Sequence, residues 1–355
     1  MFGVALLSIL VIIRLGSRSG GPERSGGEPL GDDPLLVVSW NVAAVNNNPF
    51  EYWITHDDPH YNKMMADFEY LVENPGDNDI LVNKVFTQEM FEELDNEMAR
   101  LGWTGLDAVA SEWSNNYSVR KIVSGFMKDP VLGKKRLISM PDRVTNTITT
   151  EDGSVYRPTV INCYQGDMPS RAAWWEQWRA FIFHKSVQTG KGPRDVHALL
   201  KPISRAKYPA LSAEEEAISV PLQLLAQAIF DAVMLHLVNV VAEREWALLR
   251  GGMCASLNLK KSERITNILA TRYSGADVIL LQEVAAQFVA DLLLHPQLAR
   301  DFAIHAPLGG GRDQLSIVLL RKTKFETAAT TDVRYRTRIR LRSRCADKTH
   351  TMSPR

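Results

Sequence analysis

The sequence predicts an α/β fold interrupted by a large inserted α+β subdomain, and three observations lead there. Two short apolar runs, Leu35 to Trp40 and Val278 to Leu281, have the unbroken hydrophobicity of strands covered on both faces, as in a parallel sheet. Both close on polar residues, Asn41 after the first and Gln282-Glu283 after the second. Before the second run, "NLKKSERITNILATRYSG" places Ile265, Ile268, Leu269 and Tyr273 on one helical face and stops at Gly275. Strand, crossover helix and parallel strand make a βαβ unit, which would bring Asn41 and Glu283 to the same edge of the sheet. Residues 46–258 lie where a crossover needs only a few tens of residues, and they hold seven of the eight tryptophans. They therefore require a core of their own.

Composition narrows the classes. The chain has 355 residues, enough for one large domain or two ordinary ones. With 45% hydrophobic and 23% charged residues, close to ordinary globular usage, the composition argues against disorder over most of the length. The 41 basic and 41 acidic residues cancel, so no global field points to nucleic acid and any basic site must be local. Cys163, Cys254 and Cys345 are odd in number and widely spaced, which fits neither a disulfide framework nor a zinc pattern.

The amino terminus, residues 1–33, reads as a targeting segment followed by a flexible linker. An apolar run over residues 2–13 suits a signal-peptide core or a short membrane anchor, and a Gly/Ser/Pro/Arg spacer follows it. Membrane association through residues 2–13, or passage along the secretory pathway, is the corresponding expectation. Folding should begin at residue 34, with the strand ending at Asn41.

Within the insertion, "TNTITTEDGSVYRPTVINCY" reads as two strands around Asp152-Gly153, and "SRAAWWEQWRAFIFH" as a helix. Ser212 and Glu215 form a capping box, a helical stretch runs from there to Gly251-Gly252, and Pro221 either kinks it or starts a second helix. Four features invite functional readings. Ile218 to Val241 is apolar enough for a membrane span, but Gln223, Gln227, Asp231, His236 and Asn239 interrupt it, which favours a buried soluble helix. "HDDPH", His56 to His60, resembles a metal cluster, yet Pro59 makes it a turn. Arg120, Lys121, Lys134, Lys135, Arg136 and Arg143 could hold phosphate groups or simply form a solvated face. Trp174, Trp175 and Trp178 suit core packing better than a stacking platform.

After the Glu283 strand, "LSIVLLRKTKF" supplies a further strand, Ser316 to Leu320, followed by Arg321, Lys322 and Lys324. Taken in order, "VVSWNV", an Arg-x-x-x-Ile helix leading into "ADVILLQEV", and "LSIVLLRKTKF" resemble the endonuclease/exonuclease/phosphatase superfamily. The resemblance covers residues 34–45 plus 259–326. It implies a two-sheet α/β sandwich, incomplete at the carboxyl end, and Mg²⁺- or Mn²⁺-dependent hydrolysis of phosphoric esters. Under it Glu283 looks like the metal-binding carboxylate, and Asn41 like the residue beside the metal and the scissile phosphate. Mg²⁺ takes oxygen ligands and needs only one or two carboxylates besides substrate and water. The family's later elements, a Gly-Asp-x-Asn segment and a carboxyl-terminal Asp-His pair, are not found here, so half of the expected catalytic set is missing. Residues 327–355 instead carry arginine at every second position from Arg334 to Arg344, a pattern with no core face.

Three functions compete. One is a phosphoric-ester hydrolase (phosphodiesterase, phosphatase or nuclease), inactive or weak as it stands, whose substrate could be a phospholipid head group, an inositol phosphate or nucleic acid. The second is a non-enzymatic, membrane-associated binding protein using the scaffold and the insertion. The third is an incomplete gene product. On residues alone, Glu283 also remains open to a plainer reading as a solvated strand-end glutamate.

Overall fold

The computed structural model describes residues 11–15, 35–43, 48–52, 54–150, 153–189, 192–243, 245–307 and 315–325. The protein is mixed α/β. Among the described residues the strands are β1 (Val11–Leu15), β2 (Leu35–Asn41), β3 (Thr147–Thr150), β4 (Gly153–Tyr156), β5 (Ser186–Thr189), β6 (Gly192–Asp195), β7 (Val278–Val284), β8 (Phe302–His305) and β9 (Leu315–Arg321). The chain divides into two compact units, one built on Asn47–Leu259 and the other on Leu6–Asn46 with Lys260–Arg355.

The second unit is a five-stranded sheet in the order β1-β2-β7-β9-β8. β2 and β7 are parallel neighbours, Val37 opposite Val278 and Asn41 opposite Gln282, as the βαβ reading requires. The other three pairings are antiparallel. The strand expected at Ser316 to Leu320 is β9, one residue longer at each end. Alternation along the strands separates two faces. Val38, Ile279, Leu281, Ile317 and Leu319 are buried beneath Ile265 and Leu269 of the Lys261–Thr271 helix, Phe288 and Leu292 of the Ala286–Leu294 helix, and Leu298. The opposite face carries Val278, Leu320 and Phe325 with half-buried Leu35, Val37, Leu280 and Val318. It is apolar too, which explains why the strands read as continuous hydrophobic runs. Part of the apolar amino-terminal segment, Val11–Leu15, is edge strand β1; residues 1–10 and 16–34 lie outside the described residues, as does the arginine-rich segment 327–355.

The Asn47–Leu259 unit has a separate core. Trp174, Trp175 and Trp178 project from the Arg171–His184 helix, capped by Ser170, and all three are buried as core residues. Trp113 stacks on Phe91 with ring centroids 5.3 Å apart. The hairpin expected at Asp152-Gly153 is β3 with β4, and a second hairpin pairs β5 with β6. Ser212 caps Ala213–Ala217 with Glu215 returning the bond, and a second helix, Ser219–Ala242, begins just before Pro221. One expectation fails here. The helical stretch does not run unbroken to Gly251-Gly252: it stops at Glu243, whose φ is 39°, and a Glu245–Met253 helix passes through both glycines. The positive φ at Glu243, with ψ −116°, ends the first helix without a glycine, a signal that sequence does not carry.

The Ser219–Ala242 helix is long and apolar enough to cross a membrane, and 72% of its most apolar window is buried inside the protein. Its polar residues explain the burial. Gln223 Nε2 donates to the Lys201 and Ser219 carbonyls, and Asp231 accepts from Arg157, Thr159 and Trp178. Such contacts tie the helix to neighbouring chain and leave no charge unpaired in an apolar setting.

Candidate functional site

Asn41 and Glu283 meet at the carboxyl ends of β2 and β7. Asn41 stands opposite Gln282 in the parallel ladder, and the Val42 amide donates to the Gln282 carbonyl at 3.0 Å. Beyond that point both strands leave regular geometry. The pairing of β7 with β9 shifts between Leu281 and Val284, so that three steps on β7 match two on β9, from Ile317 to Leu315. Glu283 occupies this bulge with φ 53°. The effect follows from alternation: an unbulged strand would send Glu283 to the helix-covered face alongside Leu281, whereas here Val284 takes that buried place. The carboxylate stays half-buried at the sheet edge.

The end of β2 turns by its own chemistry. Asn41 Oδ1 accepts the Ala43 amide at 2.9 Å, an Asx turn, and Ala43 has φ 45°. Lys261, the first residue of the crossover helix, donates Nζ to the Ala43 carbonyl. Burial pulls its ammonium down from the usual 10.5 to about 8, and the charge of Glu283 opposes that fall. The edge is thus an amide, a cation and a carboxylate held by two turned strand ends. The Lys261 contribution is absent from the motif reading, because a lysine in "NLKKSER" looks like any solvated helix residue.

These residues fall short of the metal site that the resemblance implies. Among the described residues no group of three or more His, Cys, Asp or Glu is placed to hold a metal ion. Asn41 Oδ1 already serves the Ala43 amide, and the positive charge facing Glu283 is the ammonium of Lys261. Mg²⁺ or Mn²⁺ would have to displace that ammonium or draw ligands from outside the described residues.

The basic residues at and just after the end of β9 serve elsewhere. Arg321 and Lys324 pair with Asp277 at 3.7 and 3.2 Å, and Asp277 Oδ2 accepts the Leu36 amide. Asp277 precedes β7, so this clamp lies at the opposite end of the strand from Glu283.

In the Asn47–Leu259 unit the other candidates resolve into structure. Asp58 caps the Pro59–Glu73 helix. His56 Nδ1 accepts the Asp58 amide at 2.9 Å, so the neutral ring carries its proton on Nε2 and donates it to the Ser256 hydroxyl, which itself donates to the Gly252 carbonyl. That polarity gives Ser256 no base. Arg120 is bonded to Asp129 at 2.6 Å, Lys135 pairs with Glu215, and Arg136 lies over the Tyr208 ring. Three of the six basic residues are thereby committed. His236 is half-buried beside Arg171 at a cavity of about 310 Å³, where burial and then the Arg171 charge lower its pKa.

Residues 79–251 match a domain of unknown function (DUF8234). That stretch lies inside the Asn47–Leu259 unit and touches neither Asn41 nor Glu283. No curated protein and no solved structure matches the chain.

Proposed function

We propose that the sheet unit is a phosphoric-ester hydrolase domain of the endonuclease/exonuclease/phosphatase type, weak in turnover, which receives its substrate at the shared edge of β2 and β7. The observation that carries the reading is the parallel register of Asn41 with Gln282, which sets the two family-like residues side by side. The two-sheet sandwich belongs to the same proposal. A second sheet would cover the apolar face of Leu35, Val37, Leu280 and Val318. Lys261 supplies the charge that a phosphoester beside Glu283 needs, since two anions cannot share an edge without a cation. Asn41 then offers its amide to a phosphoryl oxygen. Hydrolysis without a general base forgoes assistance worth about 10² to 10⁴ in rate.

The pairing of Lys261 with Glu283 also favours a second reading, a binding protein that keeps the scaffold without hydrolysis. Membrane attachment through all of residues 2–13 would require Val11–Ile13 to leave β1, where they pair with Val37–Ser39. One experiment separates the two readings. Titration of the full chain with bis(4-nitrophenyl) phosphate should show binding that Lys261→Met weakens at least about tenfold. Slow release of nitrophenol, abolished in Glu283→Gln, favours the hydrolase, and binding without release favours the second reading. Absence of binding, or equal affinity in Lys261→Met, overturns both.

A further inference from the structure

Arg250 is a buried cation without a carboxylate partner among the described residues. Its side chain is 5% exposed, its Nη1 and Nη2 donate to the Thr159 and Tyr164 carbonyls, and its Nε has no partner. The Trp246 ring lies 4.9 Å from the guanidinium carbon. The groups near it that can become negative are Cys254, Cys163 and Tyr164. A buried guanidinium calls for an anion, and a thiol ionises more readily than a phenol. Both cysteines are buried, and Cys254 Sγ donates at 4.0 Å to the carbonyl of Asn162, the residue before Cys163, which sets the two thiols close together. Asn258 Nδ2 donates to Cys163 Sγ at 3.4 Å. Tyr61, from the Pro59–Glu73 helix, adds a buried hydroxyl with no partner close to the same pair. Donors and positive charge thus converge on sulfur in an otherwise apolar core.

We propose that Cys163 and Cys254 are a redox pair that hydroperoxide closes to an intramolecular disulfide, Cys163 being the attacking thiolate and Cys254 the resolving thiol. The Cys254 thiol, the Asn258 amide and the Arg250 charge together hold the Cys163 thiol below its usual range, while hydrogen bonding to Cys163 and burial push Cys254 up. The chemistry balances in two steps. Cys163 thiolate attacks one oxygen of hydrogen peroxide, the O–O bond breaks, hydroxide leaves, and Cys163 becomes a sulfenic acid. Cys254 then gives up its proton and attacks the Cys163 sulfur, the S–OH bond breaks, and the proton and hydroxyl leave as water. Two thiols lose two electrons, and peroxide is reduced to two waters. The bond would tie the Cys254–Asn258 turn to the segment that follows β4. Hydrogen peroxide is close to water in size, which suits a pair this buried.

The test uses the full chain carrying Cys345→Ser. After peroxide treatment and alkylation under denaturing conditions, the protein should lose two reactive thiols and the mass of two hydrogens, with the linked peptides containing Cys163 and Cys254. Cys254→Ser should instead accumulate a dimedone-reactive sulfenic acid on Cys163, and Arg250→Met should slow oxidation at least about tenfold. If Arg250→Met does not fold, Asn258→Leu tests the same thiolate and should slow oxidation several-fold. The proposal fails if both thiols survive peroxide that oxidises Cys345 in the parent chain, if the sulfenic acid forms on Cys254 first, or if neither replacement changes the rate.

Discussion

Lys261 donates to the Ala43 carbonyl and faces the charge of Glu283, so one side chain joins the two turned strand ends. Its pKa of about 8 in the fold lies below the 10.5 of an ordinary lysine. Between those values the unfolded chain binds the extra proton, so this group makes stability rise with pH from about 8 to about 10.5. Below pH 8 the buried charge costs about 2 kcal/mol after allowance for partial exposure. Lys261→Met should therefore be at least as stable as the parent at pH 7, and the parent should gain on it steadily up to pH 10. Urea midpoints at four pH values measure the difference, and a constant gap would exclude the titration. Asn41 and Glu283 were legible because strand ends followed by polar residues are visible as a pattern. Lys261 was not, because burial of a helix-start lysine depends on where the β2 turn places a carbonyl.

At the level of elements, the strands, the crossover helix and the Ser212 cap were readable since each rests on local periodicity or on one capping pair. The bulge in β7 was not. Its register shift arises only when Val284 must enter the core opposite Leu315, a contact with a strand 31 residues on. The same conformation makes a prediction about Glu283. A non-glycine residue at φ 53° is strained, and β-branched residues suffer most there. Glu283→Gly should hold or raise stability by up to about 1 kcal/mol, and Glu283→Val should lower it by about 1 to 3 kcal/mol. Glu283→Gln, which keeps the shape but removes the charge that offsets burial of the Lys261 ammonium, should lower stability at pH 7 by about 0.5 to 1 kcal/mol. Denaturant midpoints rank the three. If valine is tolerated as well as glycine, the bulge does not exist as described.

The two units have cores that share no residue: one cluster runs from Phe50 to Cys254, and the sheet unit draws on residues 35–42 and 265–325. Distant, independent sites add in their effects, so damage to one core should stay there. Asp231 is the point to strike. Wholly buried, it accepts Arg157 Nε at 2.7 Å and Trp178 Nε1 at 2.9 Å, and Arg157 is itself fully buried. Asp231→Asn removes the charge and leaves the partly exposed Asp142 as the one carboxylate paired with the guanidinium among the described residues, at a cost of about 3 to 5 kcal/mol. Hydrogen exchange should then accelerate through the Arg171–His184 and Ser219–Ala242 helices while β2, β7 and β9 keep their protection. Limited proteolysis follows the same logic: the parent chain should yield a resistant fragment spanning residues 46–258, and the Asp231→Asn chain should lose that fragment first. Equal loss of protection in β7 and β9 would mean that the two cores fold as one cooperative body, and the insertion would then have to be read as part of the sheet unit.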